Sequence, residues 1–133
     1  MHYVGGIAGT VGSVVDKGTL TSYGKVKDCT NNAIISYDPE TTRTGDVNGR
    51  YVMIGGITGQ NYGEVSGNTN NGSIASATSV KFVYIGGVVG YIDNTNVVIL
   101  KNNSVSKNVV VNATGEGNSV GVGGLIGTLH GGV

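Results

Sequence analysis

The chain has 133 residues, of which 25 are glycine and only 12% are charged, and its eight basic and eight acidic residues give a formal net charge of zero. A chain without net charge lacks the basic surface that binds nucleic acid or anionic membranes, so we expect neither partner. It contains no stretch of about 18 consecutive apolar residues, so we expect no membrane insertion by a helix.

In chain order, the predicted elements are short strands grouped into units by one glycine-rich phrase. An apolar residue, two glycines, an aliphatic residue, any residue and a third glycine occur four times, at 4–9, 54–59, 85–90 and 122–127. Such self-similarity is typical of stacked repeats. We predict a single repeat domain, 1–133, with units at about 3–50, 51–80 and 81–119 and a partial unit at 120–133. We interpret it as an excerpt of a longer array.

Each unit is rich in Val and Ile, which total 31 residues and favour strands. Val52 and Ile54 lie on one side of a strand. Ile57 comes three residues after Ile54, an odd number, so strict alternation would point its side chain to the opposite face. A glycine pair permits a sharp bend that resets this alternation. We therefore predict coil corners at the repeated glycines: Gly5, Gly6, Gly9, Gly55, Gly56, Gly59, Gly86, Gly87, Gly90, Gly123, Gly124 and Gly127.

Stacking these units gives an all-β fold, which we predict to be a parallel β-solenoid (β-helix-like) of three to four irregular Gly-Gly repeats. Aliphatic side chains would form interior ladders about 4.7–4.9 Å apart. The Thr69-Asn70-Asn71 phrase is expected at a turn, because Asn tolerates left-handed geometry and bonds its own backbone. The single cysteine, Cys29, is expected to be a small buried apolar side chain. A β-sandwich of the same short strands is the alternative fold.

The second unit contains Gly55-Gly56-Ile57-Thr58-Gly59-Gln60-Asn61-Tyr62-Gly63-Glu64-Val65, followed by Asn70-Asn71-Gly72-Ser73-Ile74. This pattern resembles the GLUG repeat, whereas the other units match that repeat through the glycine core alone. The resemblance implies a β-rich repeat region of a large secreted or surface-anchored bacterial protein, such as an adhesin-like protein. It also implies an extracellular or cell-surface location, with any signal or anchor lying outside this chain.

Residues that could carry catalysis are sparse, and we predict no enzyme activity, no cofactor and no metal site. His2 and His130 lie at opposite ends of the chain, and we expect both at frayed ends or on the surface. The only local acidic cluster is Asp38, Glu40 and Asp46, which we expect to form a solvated turn. A glycan-active enzyme fragment using convergent acids from this cluster remains an alternative.

Aromatic residues are the candidate binding feature. Equivalent or neighbouring positions of successive units carry Tyr3, Tyr51, Tyr62, Phe82, Tyr84 and Tyr91. Aromatic side chains in a row on a polar face can stack on sugar rings or anchor a protein. The alternative is that they form a ladder that only stabilises the fold.

The sequence thus predicts a non-catalytic bacterial surface or secreted module, adhesin-like or a stalk, making multivalent contacts with glycan or protein. A second hypothesis is that the chain is a self-assembling structural subunit. Because neither end of the repeat carries an obvious polar cap, open solenoid ends could join head to tail into a filament.

Overall fold

The computed structural model describes residues 1–14, 20–38, 51–77, 80–93, 98–114 and 119–130. These residues form strands, turns and bends and no helix, so none of them belongs to a helix able to cross a membrane. All but one of the strand pairings are parallel. The predicted parallel β-solenoid is therefore confirmed.

Strands follow the chain in four successive coils. The first coil contains β1 (His2–Gly5), β2 (Ala8–Val11), β3 (Ser13–Val14), β4 (Leu20–Ser22), β5 (Lys25–Lys27), β6 (Thr30–Asn31) and β7 (Ile35–Tyr37). The second contains β8 (Tyr51–Gly55), β9 (Thr58–Asn61), β10 (Glu64–Ser66), β11 (Thr69–Asn70) and β12 (Ile74–Ala77). The third contains β13 (Phe82–Gly86), β14 (Val89–Asp93), β15 (Ile99–Lys101), β16 (Ser104–Val105) and β17 (Val111–Thr114). The fourth, within the described residues, contains β18 (Ser119–Gly123) and β19 (Ile126–His130).

Equivalent strands pair from coil to coil and make five parallel ladders. The first ladder is β1-β8-β13-β18 and the second is β2-β9-β14-β19. The third, fourth and fifth ladders have three strands each: β5-β10-β15, β6-β11-β16 and β7-β12-β17. The exception is β3 and β4, which pair antiparallel as an excursion from the first coil.

Two separate apolar clusters fill the coils. One lies between the second and third ladders and includes Ile57, Val65 and Val88. The other lies between the first and fifth ladders and includes Ile54 and Ile74. All five side chains are at most 1% exposed, so each contributes about 1.5–3 kcal/mol by burial. Ile54 and Ile57 are both buried, but in different clusters, on opposite sides of the glycine pair.

The glycines of the repeated phrase allow three close approaches, as the second coil illustrates. A Cβ on Gly55 would lie 2.0 Å from the carbonyl oxygen of Thr58, so the corner itself is tight. A Cβ on Gly56 would lie 2.2 Å from Nδ2 of Asn70, on the opposite wall of the coil. A Cβ on Gly59 would lie 2.6 Å from the carbonyl oxygen of Met53, in the adjoining strand. The corner therefore points into the coil and divides its interior into two lobes.

In the first and second coils, asparagine amides occupy the waist between the two lobes, whereas the third coil has Val105 at the equivalent position. Asn31 and Asn70 are directly stacked, and Nδ2 of Asn31 donates to Oδ1 of Asn70 at 2.8 Å. Within its own coil, Asn70 accepts from the backbone N–H of Gly72 at 3.1 Å and donates to the carbonyl of Gly72 at 2.9 Å. Asn70 is 0% exposed, and its bonds offset the cost of burying the amide. The expectation that the Thr69-Asn70 pair lies at a turn was wrong: these residues form β11.

The stack leaves apolar side chains exposed on its last coil. Val122 and Leu125 are 47% and 48% exposed, whereas their counterparts one coil below, Ile85 and Val88, are 0% exposed. The third, fourth and fifth ladders have no fourth strand within the described residues. The interior ladders are therefore open to solvent at this end of the structure.

The inward corner predicts a sharp contrast between two equivalent glycines. Gly56→Ala should destabilise the fold by at least ~2 kcal/mol, because the new methyl overlaps Asn70 and the backbone oxygen of Gly87. Gly124→Ala, at the same position of the fourth coil, should change stability by less than ~0.5 kcal/mol, because a Cβ there meets no atom within 4 Å. Urea unfolding of both variants measures the difference. Equal effects would contradict the inward corner.

Candidate functional site

The first and second ladders diverge outward from the inward corner and form a notch on the outside of the solenoid. The notch lies between the outward side chains of β8 and β13 on one side and those of β9 and β14 on the other. Met53 and Gln60 are 4% and 3% exposed, so they form its floor. Tyr84 and Tyr91 are partly buried and face each other across it, with ring centroids 5.4 Å apart.

Aromatic rings connect through this notch into one continuous strip. Tyr51 and Phe82 are stacked at 4.4 Å with 9° between their planes. Phe82 contacts Tyr84 at 6.4 Å, Tyr84 stacks on Tyr91, and Tyr91 stacks on His130 at 6.4 Å. We call Tyr51, Phe82, Tyr84, Tyr91 and His130 the aromatic strip. The aromatic strip crosses three coils and includes residues of the first and second ladders.

Four of the six candidate aromatics belong to this strip, and two lie beside it. Tyr3 donates through its hydroxyl to the sulfur of Met1 at 2.9 Å. Tyr62 lies just beyond β9, and its hydroxyl accepts a hydrogen bond from Nε2 of Gln60. The sequence analysis missed His130, which was expected at a frayed end or on the surface. It is exposed but lies within β19 and stacks on the strip, a contact that only the register of β14 with β19 creates.

Polar groups border the strip at one end and within its floor. Oδ1 of Asp93 lies 3.9 Å from Nδ1 of His130. Oε1 of Gln60 is buried and has no hydrogen-bond partner. At the other end, the ammonium of Lys81 lies 5.2 Å from the ring centroid of Phe82, within cation–π range. The notch therefore combines aromatic rings with amide, carboxylate and hydroxyl groups.

Burial raises the pKa values of the tyrosines in and beside the notch. Burial, aided by the nearby carboxylate of Asp93, raises the pKa of Tyr91 to about 12. Burial is also the main cause that raises the pKa of Tyr62, partly opposed by the hydrogen bond from Gln60. The pKa of Tyr3 is raised by burial as well. These hydroxyls consequently stay protonated at neutral pH and can donate hydrogen bonds.

A cluster of four charged residues lies on the outer face of the third ladder. The buried carboxylate of Glu64 accepts from Oγ of Ser66 at 2.9 Å. The ammonium groups of Lys25, Lys27 and Lys101 surround it at 3.8–4.0 Å. The Ser66 bond is the largest cause that lowers the pKa of Glu64, and the three exposed lysines add to it. The cluster ties three coils together.

The remaining candidate residues lie partly outside the described part of the chain. Asp38 is exposed just after β7, and Glu40 and Asp46 lie outside the described residues. Cys29 is partly buried, not fully buried as expected, and lies just before β6 at the position equivalent to Asn68. Its thiol donates to the carbonyl of Lys27 at 3.2 Å. Over the described part of the chain, no three His, Cys, Asp or Glu side chains are grouped so that they could hold a metal ion.

Comparison with known proteins gives no family: no family model, no curated protein and no solved structure matches the chain.

The raised pKa of Tyr91 predicts a specific loss of stability in alkali. Because the folded-state pKa exceeds the unfolded value of about 10, ionisation favours the unfolded chain, and stability falls as pH rises from about 10 towards 12. Tyr91→Phe should lose less stability than the wild type between about pH 9 and about pH 11. Urea midpoints at the two pH values measure the effect. Tyr23→Phe, an exposed tyrosine outside the strip, is the control, and identical curves for all three chains would contradict the burial of Tyr91.

Proposed function

We propose that the chain is a non-catalytic repeat module of a secreted or surface-exposed bacterial protein, adhesin-like, and that it binds glycan through the aromatic strip. One observation carries this proposal: five rings contact one another in series along the outside of the solenoid. Neighbouring rings hold each other in place, so little side-chain entropy is lost on binding.

The arrangement of the rings favours a hydrogen-bonding ligand. The facing sides of Tyr51 and Phe82 cover each other, so these rings offer their edges rather than both faces. The tyrosine hydroxyls and the carboxylate of Asp93 add donors and acceptors beside them. Hydroxyl, amide and carboxylate groups beside aromatic rings suit a sugar chain, whose hydroxyls need hydrogen-bond partners and whose C–H groups pack against aromatic rings.

Weak contacts repeated along a rigid solenoid agree with a surface role. The strip spans three coils and has three of its rings in the third coil, so an elongated glycan could contact several rings at once. In a longer array of such units, the same contacts would add through effective concentration without requiring a tight single site. The resemblance of residues 55–74 to the GLUG repeat supports the same reading.

The exposed apolar end favours the second candidate, a subunit of a filament. Val122 and Leu125 would be covered if another solenoid stacked on the fourth coil. Among the described residues, β18 and β19 extend only the first and second ladders beyond the third coil, so such a copy would pair first with these two strands.

Glycan binding should depend on the rings at the centre of the notch. Tyr84→Ala and Tyr91→Ala should each weaken binding to any glycan that the wild type retains by at least about fivefold, because each removes a ring from the middle of the strip. A glycan array followed by calorimetry on the retained glycan measures this loss. Tyr23→Ala is the matched control and should bind as the wild type does. Retention of glycan by all three variants alike would refute the role of the strip.

A further inference from the structure

The aromatic strip carries a cation at one end and a carboxylate at the other. The ammonium of Lys81 lies 5.2 Å from the ring centroid of Phe82, at the first end. The carboxylate of Asp93 lies beside His130, at the second end. The two central tyrosine rings of the strip separate these charged groups. A ligand that follows the strip therefore meets different charges at its two ends.

Lys81 has no carboxylate partner within the described part of the chain. The three lysines around Glu64 share that carboxylate, whereas Lys81 forms no ion pair with any described residue. An ammonium group has three N–H donors, and its attraction to the face of an aromatic ring does not occupy a hydrogen-bond acceptor. The donors of Lys81 consequently remain available to an anionic group of a ligand.

The position of this cation is restricted by its surroundings. Lys81 directly precedes β13 and is partly buried, and its carbonyl accepts from the backbone N–H of Ser119 in the next coil at 3.0 Å. The ring of Phe82 beneath its ammonium is itself stacked on Tyr51. Because the backbone and the ring both restrict the lysine, less side-chain entropy is lost when an anion binds to it.

We propose that the glycan bound by the aromatic strip contains a sugar with a carboxylate, a sialic or uronic acid, and that Lys81 pairs with this carboxylate. This inference rests on the proposed glycan binding and names the class of glycan. The neutral sugars next to the acidic one lie over Tyr84 and Tyr91. Asp93 repels a second acid at the far end, so the acidic sugar binds in one orientation.

The partial exposure of Lys81 sets the size of the effect. A charge-assisted hydrogen bond is about twice as strong as a neutral one, but salt screens a pair that is open to solvent. We therefore expect the carboxylate to increase the affinity several-fold, and this increase should shrink at high salt. A neutral glycan of the same shape lacks the increase but keeps its contacts with the rings.

The first test is a glycan array that carries sialic-acid and uronic-acid glycans beside their carboxyl methyl esters, followed by calorimetry on each retained pair. The 133-residue chain should bind the acids at least about fivefold more tightly than the esters, which have the same rings without the charge. Equal binding of acids and esters would overturn this inference and leave glycan binding by the strip intact. Binding of neither would overturn the proposed function itself, and the inference with it.

Two lysine variants of equal net charge form the matched test on the protein. Lys81→Met keeps an apolar stem but removes the charge, so it should bind the retained acid only as tightly as the ester. Lys107→Met removes the same charge from an exposed residue beyond β16 and should bind the acid as the wild type does. Calorimetry measures both affinities, and circular dichroism verifies that both variants fold. If the two variants weaken binding of the acid equally, the acid responds to net charge alone and the proposed role of Lys81 is wrong.

Discussion

The close approach of backbone and side chain at the inward corner is the constraint on which the rest of this structure depends. Gly56 lies so near Asn70 that no side chain fits between them, and Gly59, the second residue of β9, also lies too close to the backbone of β8 for a side chain. The corner therefore reaches the opposite wall of the coil. One glycine-rich phrase thus produces the waist, the two apolar lobes and, on the outside, the notch that holds the aromatic strip.

Buried amides hold the coils in register. Burying an asparagine is costly unless its amide is hydrogen-bonded, and Asn68 and Asn70, both 0% exposed, bond the backbone and the asparagine of a neighbouring coil. A register slip of one residue would turn these amides outward and leave backbone groups unpaired. The same slip would turn the buried Val and Ile side chains outward, so the aliphatic ladders and the amides specify the same coil-to-coil register.

The repeat and its alternation of aliphatic residues were sufficient to predict the parallel solenoid, because the two core clusters are filled by the repeated Val and Ile positions. The inward position of Asn70 could not be predicted in this way. Its partner Asn31 lies 39 residues away, and the general preference of Asn for turns indicated the wrong place. The place of His130 in the aromatic strip also depends on pairing between distant strands. The candidate ring positions were visible because they recur at equivalent places, but their connection into one strip required the fold.

The most direct test of this account is hydrogen exchange of individual asparagine side-chain amides, followed by nuclear magnetic resonance. If the amides of Asn68 and Asn70 are the buried connections between coils, their Nδ2 protons should exchange as slowly as the backbone amides of β9 and β10. The Nδ2 protons of Asn102 and Asn112, which are exposed, should exchange at the rate of a free side chain. Fast exchange of the Asn70 amide, equal to that of Asn102, would contradict the inward corner and the two-lobed coil built around it.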